Sequence, residues 1–209
     1  MENQGEPQVV ASSAGASGVE LEHLVLASSS PRRAEILRAV GWPFEAEAAG
    51  TDERRREGED VIEYVERLAC EKAEAIAERR LFGLVLGADT VVAVGGQILG
   101  KPADDADARR MLGLLSGRWH DVLTGVALVR AETKEVLVAH EQTRVRFAEM
   151  SDAEIDWYVS TGETADKAGA YAVQGRAALF IEEIEGDYWN VVGLPVRLVY
   201  KLAEESRRS

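Results

Sequence analysis

The sequence predicts an α/β fold, and three observations predict it. Short apolar runs rich in Val and Leu, Leu24 to Ala27 and Leu84 to Val94 among them, alternate with amphipathic stretches of helical period. Helix-start chemistry follows the first apolar run directly, as Ser28-Ser29-Ser30-Pro31, and Gly41 and Gly117 stand where helices should stop. A chain of 209 residues has no obvious linker past its first two dozen positions, so one domain, or two small halves around a cleft, accommodates all of these elements.

Each element has its own warrant. The run Leu24 to Ala27 reads as a strand that delivers the backbone to a helix from Arg32 to about Val40, with Ala34, Ile36, Leu37 and Val40 facing inward. Serine should cap this helix, and proline is preorganised for its first position. Such a helix start attracts anions. Arg32 and Arg33 oppose the macrodipole preference there, which either a bound polyanion or plain solvation of two arginines explains. A short extended piece, Phe44 to Ala48, precedes Thr51-Asp52-Glu53.

Residues 60 to 80 form the clearest amphipathic helix, with Val61, Val65, Leu68, Lys72 and Ile76 at spacings of three and four. Lys72 therefore falls on an apolar stripe. Either an anion meets its ammonium or the side chain snorkels to water. The next apolar run, Leu84 to Val94, embeds Asp89, whose burial demands a metal or a cation. Gly95-Gly96 then turns the chain into Gln97 to Leu99, a hairpin that returns Lys101 toward Asp89. A helix over 104–115, strands over 122–131 and 136–147, and a helix capped by Ser151 follow. The segment Asp166 to Gly175 has the composition of a loop that approaches a ligand. A strand from Leu179 to Ile184 and a helix opened by Gly193-Leu194-Pro195 close the chain.

Composition excludes more than it names. A formal net charge of −13 argues against an extended grip on nucleic acid, though a local cluster of cations still suits a small phosphorylated ligand. No segment has the apolar length of a membrane span, and the start lacks the basic and apolar regions of a signal peptide. Cys70 is the single cysteine, which points to packing and to the cytoplasm. Residues 1–23, rich at first in Ser, Ala, Gly and Glu, read as a disordered tail before one domain over 24–206. His23, His120 and His140 do not form a metal-spaced set; His120 either orders a hinge before the long strands or touches substrate, and the structural role is the preferred reading.

Together, Glu53 and Asp89 supply hard oxygen ligands of the kind Mg²⁺ or Mn²⁺ prefers, while Arg32, Arg33, Lys72 and Lys101 supply cations for a phosphate chain. That is equipment for phosphoryl or nucleotidyl chemistry. Walker loops, GxGxxG after a strand, HExxH and GxSxG are missing from the sequence.

In these motifs, in this order, the chain resembles the Maf family of nucleotide pyrophosphatases: Ser28 to Arg33, Asp52-Glu53, Glu71-Lys72-Ala73, Gly87 to Thr90, Lys101-Pro102, Ser116-Gly117 with His120, Thr124-Gly125, Asp166 to Gly175 and Asn190 to Pro195. The resemblance implies a two-lobed fold like that of inosine triphosphate pyrophosphatases, with a mixed, twisted sheet and a central cleft, in a cytoplasmic protein that can form homodimers. It makes Asp89 the catalytic base and Glu53 its companion at a divalent metal, with Lys72 and Lys101 completing the catalytic set. It places Ser28 and Arg32 at phosphates and Arg33, Thr90 and Gln174 at positions that select the substrate. These residues match the branch acting on dTTP and UTP, with a house-cleaning role by analogy. A preference for 7-methyl-GTP or a modified nucleotide, or a division regulator that binds nucleotide without cleaving it, are the alternatives.

Overall fold

A computed structural model describes residue 21 and residues 23–208. The expected disordered tail thus lies almost wholly outside the described residues. Two of its positions are described: Leu21 is buried in the core, and the His23 ring meets Phe82 edge-on.

The chain runs β1 (Leu24–Leu26), α1 (Pro31–Ala39), β2 (Phe44–Ala46), α2 (Val61–Ala77), β3 (Leu84–Val94), β4 (Gln97–Leu99), α3 (Asp105–Leu115), β5 (Trp119–Arg130), β6 (Val136–Phe147), α4 (Asp152–Ser160), β7 (Ile181–Glu185), α5 (Tyr188–Val192) and α6 (Val196–Ser206). Seven strands form one mixed sheet in the order β2-β1-β3-β5-β6-β7, with β4 also paired to β3. β1 is parallel to β2 and β3, its helical crossovers being α1 and α2, and the remaining pairs are antiparallel. The α/β expectation, with a mixed sheet, holds.

Alternation along the strands divides the core. Val25, Val85, Ala127 and Val129 pack with Ala69, Ala73 and Ile76 of α2 on one face. Leu24, Leu26, Leu86, Val126 and Leu128 join α1, α3, α4 and α6 on the other. Helix α2 lies unusually close to its face because two glycines sit beneath it. A Cβ on Gly87 would stand 2.0 Å from the Ala69 carbonyl oxygen, and one on Gly125 would stand 2.1 Å from that of Val65.

A break in pairing positions the site. β1 leaves β3 at Leu86, and β4 joins the same edge only at Val92, while β5 stays paired along the opposite edge throughout. Between those points one edge of β3, residues 87–91, has no neighbouring strand. Asp89 and Thr90 lie in this gap, on opposite faces of the strand.

Several expectations need correction. Ser30 occupies the N-cap of α1 but makes no capping bond through its side chain; Ser28 Oγ instead accepts the Ser30 N–H at 3.1 Å. Val40 lies past the end of α1 and is exposed. Leu179 belongs to a 3₁₀ turn, Arg176–Leu179, closed by the bond from Phe180 N–H to the Ala177 carbonyl, so the final strand begins at Ile181. Helix α5 was not anticipated. β5 begins at Trp119, which places His120 inside the strand rather than in a hinge before it. There His120 is buried, its Nε2 2.9 Å from the Tyr171 hydroxyl and its ring edge-on to Phe147.

Burial pushes the His120 imidazole down to about 4. The neutral ring is therefore the folded form, and the stability it contributes is complete above the ordinary value near 6.5 and lost as pH falls from there toward about 4. The displacement corresponds to about 3 kcal/mol. Urea midpoints should fall between pH 6.5 and 4.5 in the parent protein, and His120→Gln should flatten that decline.

Candidate active site

A cleft of about 670 Å³ opens at the gap in the sheet, and all nine residues singled out from the sequence line it. Its charge runs against that of the molecule. Arg32, Arg33, Lys72, Lys101 and Lys167 face three carboxylates, Glu53, Asp89 and Asp166, on a chain whose net charge is −13. Cations gathered in one concave place attract an anion that the surface as a whole repels.

The chemical centre is built by α2 and β3. Lys72 is buried, and its Nζ lies 2.7 Å from Asp89 Oδ1 and 2.6 Å from Glu53 Oε1. This decides between the two readings of Lys72: carboxylates meet its ammonium. The glycine contacts explain the reach, since only a helix seated on bare backbone brings residue 72 down to the strand. Partial burial works to raise the Glu53 carboxyl, but the Lys72 ammonium, with Lys101 and Arg33 beyond it, outweighs that and holds it below the usual range. The Tyr64 hydroxyl donates to the Glu53 backbone carbonyl at 2.7 Å and ties the loop to α2. An ammonium has three donors, so one N–H of Lys72 remains for a ligand.

Helix α1 supplies the second wall. Its first backbone bond runs from Ala34 N–H to the Ser30 carbonyl, leaving the N–H groups of Arg32 and Arg33 without intrahelical partners. Among the described residues, the Arg32 guanidinium donates to the Asp166 carbonyl oxygen, at 3.4 Å. Arg33 is more fully engaged: its Nε donates to the Gly193 carbonyl at 2.9 Å, Nη1 to Ser28 Oγ at 3.2 Å and Nη2 to Thr90 Oγ1 at 3.0 Å. It ties the turn before α1, strand β3 and the turn after α5 together. Burial lowers its pKa, opposed by the nearby Asp89 carboxylate.

The loop over 166–175 closes the cleft. Asp166, Gly169 and Ala170 all have φ near +60°, at 59°, 68° and 60°, a strained run that surrounding bonds must hold. Gly169 N–H donates to the Gly100 carbonyl at 3.0 Å, and Ala172 N–H to the Tyr158 hydroxyl at 3.1 Å. Glu163 accepts the Arg176 N–H at 2.7 Å. Gln174 lines the cleft with an exposed side chain.

The two faces of β3 give the cleft differently furnished sides, with the Arg33 guanidinium reaching Thr90 on the second. Glu53, Lys72 and Asp89 lie where α2 covers the sheet, whereas Val92, Val122, Val191 and Val192 accompany Thr90 on the other side. One side therefore suits a phosphate chain and the other a flat heterocycle. Thr51 Oγ1 is buried without a hydrogen-bond partner, and Thr51 lines the cleft.

A metal ion fits part of this arrangement. Among the described residues no group of three or more His, Cys, Asp or Glu gathers as a protein cage. Two carboxylates nevertheless converge on one cation, the Lys72 ammonium, and Mg²⁺ is commonly held by one or two carboxylates with substrate phosphates and water completing the shell. Glu53 and Asp89 are the residues that would hold it.

Comparison with known proteins gives the family and the fold. The family model described as Maf-like protein matches residues 23–206. The chain belongs to the Maf family. A Maf relative from Symbiobacterium thermophilum, named dTTP/UTP pyrophosphatase, is 58% identical over 176 residues, covering 84% of this chain and 90% of the relative. Another of the same name, from Pelotomaculum thermopropionicum, is 52% identical, covering 84% of this chain and 92% of the relative. Among solved structures, the Staphylococcus aureus Ham1 protein aligns with this Maf chain at a TM-score of 0.52 and 15% identity, over 88% of the chain and all of Ham1. That likeness shows the fold, the one expected from inosine triphosphate pyrophosphatases.

Sequence reasoning missed several residues of this Maf site. Tyr64 precedes Leu68 and Lys72 by helical spacings, so the stripe carried a signal for it. Lys167 sits in the loop identified as ligand-approaching, yet it received no role. Thr124 lies in a Val-rich strand, where the Thr124-Gly125 pair of the resemblance marks the position but gives it no role.

Proposed function

We infer that this Maf protein hydrolyses dTTP and UTP to the nucleoside monophosphate and pyrophosphate. The observation that carries the reading is the convergence of Lys72, Glu53 and Asp89 on one side of a cleft whose other side sets Thr90 among valines, in a chain whose relatives are named for that activity.

Water attacks the α-phosphorus, the bond from that phosphorus to the α–β bridging oxygen breaks, and pyrophosphate leaves. Asp89 accepts the proton of the attacking water. Lys72 holds Asp89 and Glu53 in place through two N–H groups and offers the third to a phosphate oxygen. Lys101 and Arg32, with the free N–H groups of α1, bind the phosphate chain and offset charge on the departing pyrophosphate. When bound at Glu53 and Asp89, a Mg²⁺ or Mn²⁺ ion supplies charge neutralisation and polarises the phosphate. Gln174 and Thr90 meet the base, whose faces pack on the valines. The single, half-buried Cys70 and the absence, among the described residues, of any helix long and apolar enough to cross a membrane suit work on free nucleotides in the cytoplasm.

The test is pyrophosphate release by the purified chain with dTTP, UTP, CTP, GTP and 7-methyl-GTP, with and without Mg²⁺. Highest kcat/KM on dTTP or UTP, dependent on the metal, is expected. Nucleotide binding without pyrophosphate release would favour the regulator instead, and a preference for 7-methyl-GTP would overturn the substrate assignment.

A further inference from the structure

We propose that Thr124 is a positioning residue that, together with Arg33, makes the Thr90 hydroxyl a hydrogen-bond donor only toward the cleft, and so selects a base that offers a carbonyl oxygen there. The proposal deepens the reading of the cleft as a pyrimidine triphosphate site and rests on it.

Thr124 and Thr90 are directly opposed across β5 and β3, and their Oγ1 atoms are 2.9 Å apart. Thr124 is fully buried and does not line the cleft. Among the described residues, Thr90 is the hydrogen-bond partner of its hydroxyl. A buried O–H without an acceptor costs more than an oxygen with one lone pair unfilled, so Thr124 donates and Thr90 accepts.

The second lone pair of Thr90 is also taken. Arg33 Nη2 donates to it at 3.0 Å, and a guanidinium can only donate. What remains on Thr90 is its hydrogen. The protein acceptor in range is the Gly193 carbonyl at 3.4 Å, a long contact to an oxygen that already receives Arg33 Nε at 2.9 Å. Thr90, which lines the cleft beside Val92 and Val122, thus has a hydroxyl hydrogen whose protein acceptor is poor. A ligand oxygen completes it.

Uracil and thymine carry a carbonyl where cytosine carries an amino group. The first pairs with the Thr90 hydrogen, whereas the second sets donor against donor and leaves both unpaired. Thr124 therefore acts on base choice without touching the base.

Thr124→Val is nearly isosteric and removes the donated hydrogen. The Thr90 hydrogen can then rotate into the position that the Thr124 hydroxyl had filled, so that a lone pair faces the cleft and can accept from an amino group. The ratio of kcat/KM for UTP over CTP should fall about tenfold, the change appearing in KM rather than kcat. Thr124→Ser keeps the hydroxyl and should keep the parental ratio. An unchanged ratio in the valine variant, a proportional loss on both nucleotides, or a serine variant that behaves like valine would each overturn the proposal. The parent enzyme separates the two levels of inference: if it releases no pyrophosphate from UTP, the functional reading itself falls, whatever the Thr124 variants do.

Discussion

Asp89→Asn should lower the rate of pyrophosphate release at saturating UTP by about 10²- to 10⁴-fold, the range that a positioned general base contributes. Asparagine matches aspartate in shape and can still meet Lys72, but it cannot take a proton from water. The fold should survive, because Glu53 remains 2.6 Å from the Lys72 ammonium and continues to neutralise it. A thermal midpoint within a few degrees of the parent, alongside the lost turnover, separates chemistry from stability. Parental rates in the purified variant would show that another group activates the water. Glu53 is the obvious candidate, being more exposed and paired to the same ammonium.

The second large effect is on the fold. Gly125→Ala should cost about 3 kcal/mol or more, at the upper end of the penalties for overpacking. The added methyl carbon would stand 2.1 Å from the Val65 carbonyl oxygen, 2.3 Å from its carbon and 2.7 Å from the Glu66 nitrogen. All three are backbone atoms of α2, so no side chain can swing aside and the helix must move. Lys72 rides on that helix. Urea unfolding should show a much lower midpoint, and the fraction that folds should be slow on UTP because the contact between Lys72 and Asp89 is stretched. A midpoint equal to the parent's would mean that α2 shifts at little cost.

The chain's local chemistry announced much of this arrangement. Lys72 on an apolar stripe and Asp89 inside a Val-rich strand are each expensive alone, and that expense was the signal that they meet. Pro31 and the double glycine at 95–96 marked their turns because few backbones suit those residues. What stayed hidden depends on contacts between distant segments. Ser30 has the identity of a cap, but tertiary packing turned capping-type chemistry over to Ser28, which serves both the Ser30 N–H and the Arg33 guanidinium. The pattern places His120 before a strand because the Val-rich run begins only at Val122, yet pairing of Trp119 and His120 with Arg146 and Val145, and the packing of Tyr171 and Phe147 on His120, extend the strand over them. The role proposed for Thr124 is not legible in its motif, because it rests on one bond across to a neighbouring strand.

The open stretch of β3 has an evolutionary consequence. On the proposed function, adjacent positions of one strand serve reaction on one face and recognition on the other, so Thr90, Thr124 and Gln174, which meet or orient toward the base, lie apart from α2 and its lysine. Substitutions in the α5 turn or beneath Thr90 can therefore redirect the enzyme to new nucleotides while leaving α2 and its lysine untouched, which gives such a scaffold an inexpensive route to divergent substrates.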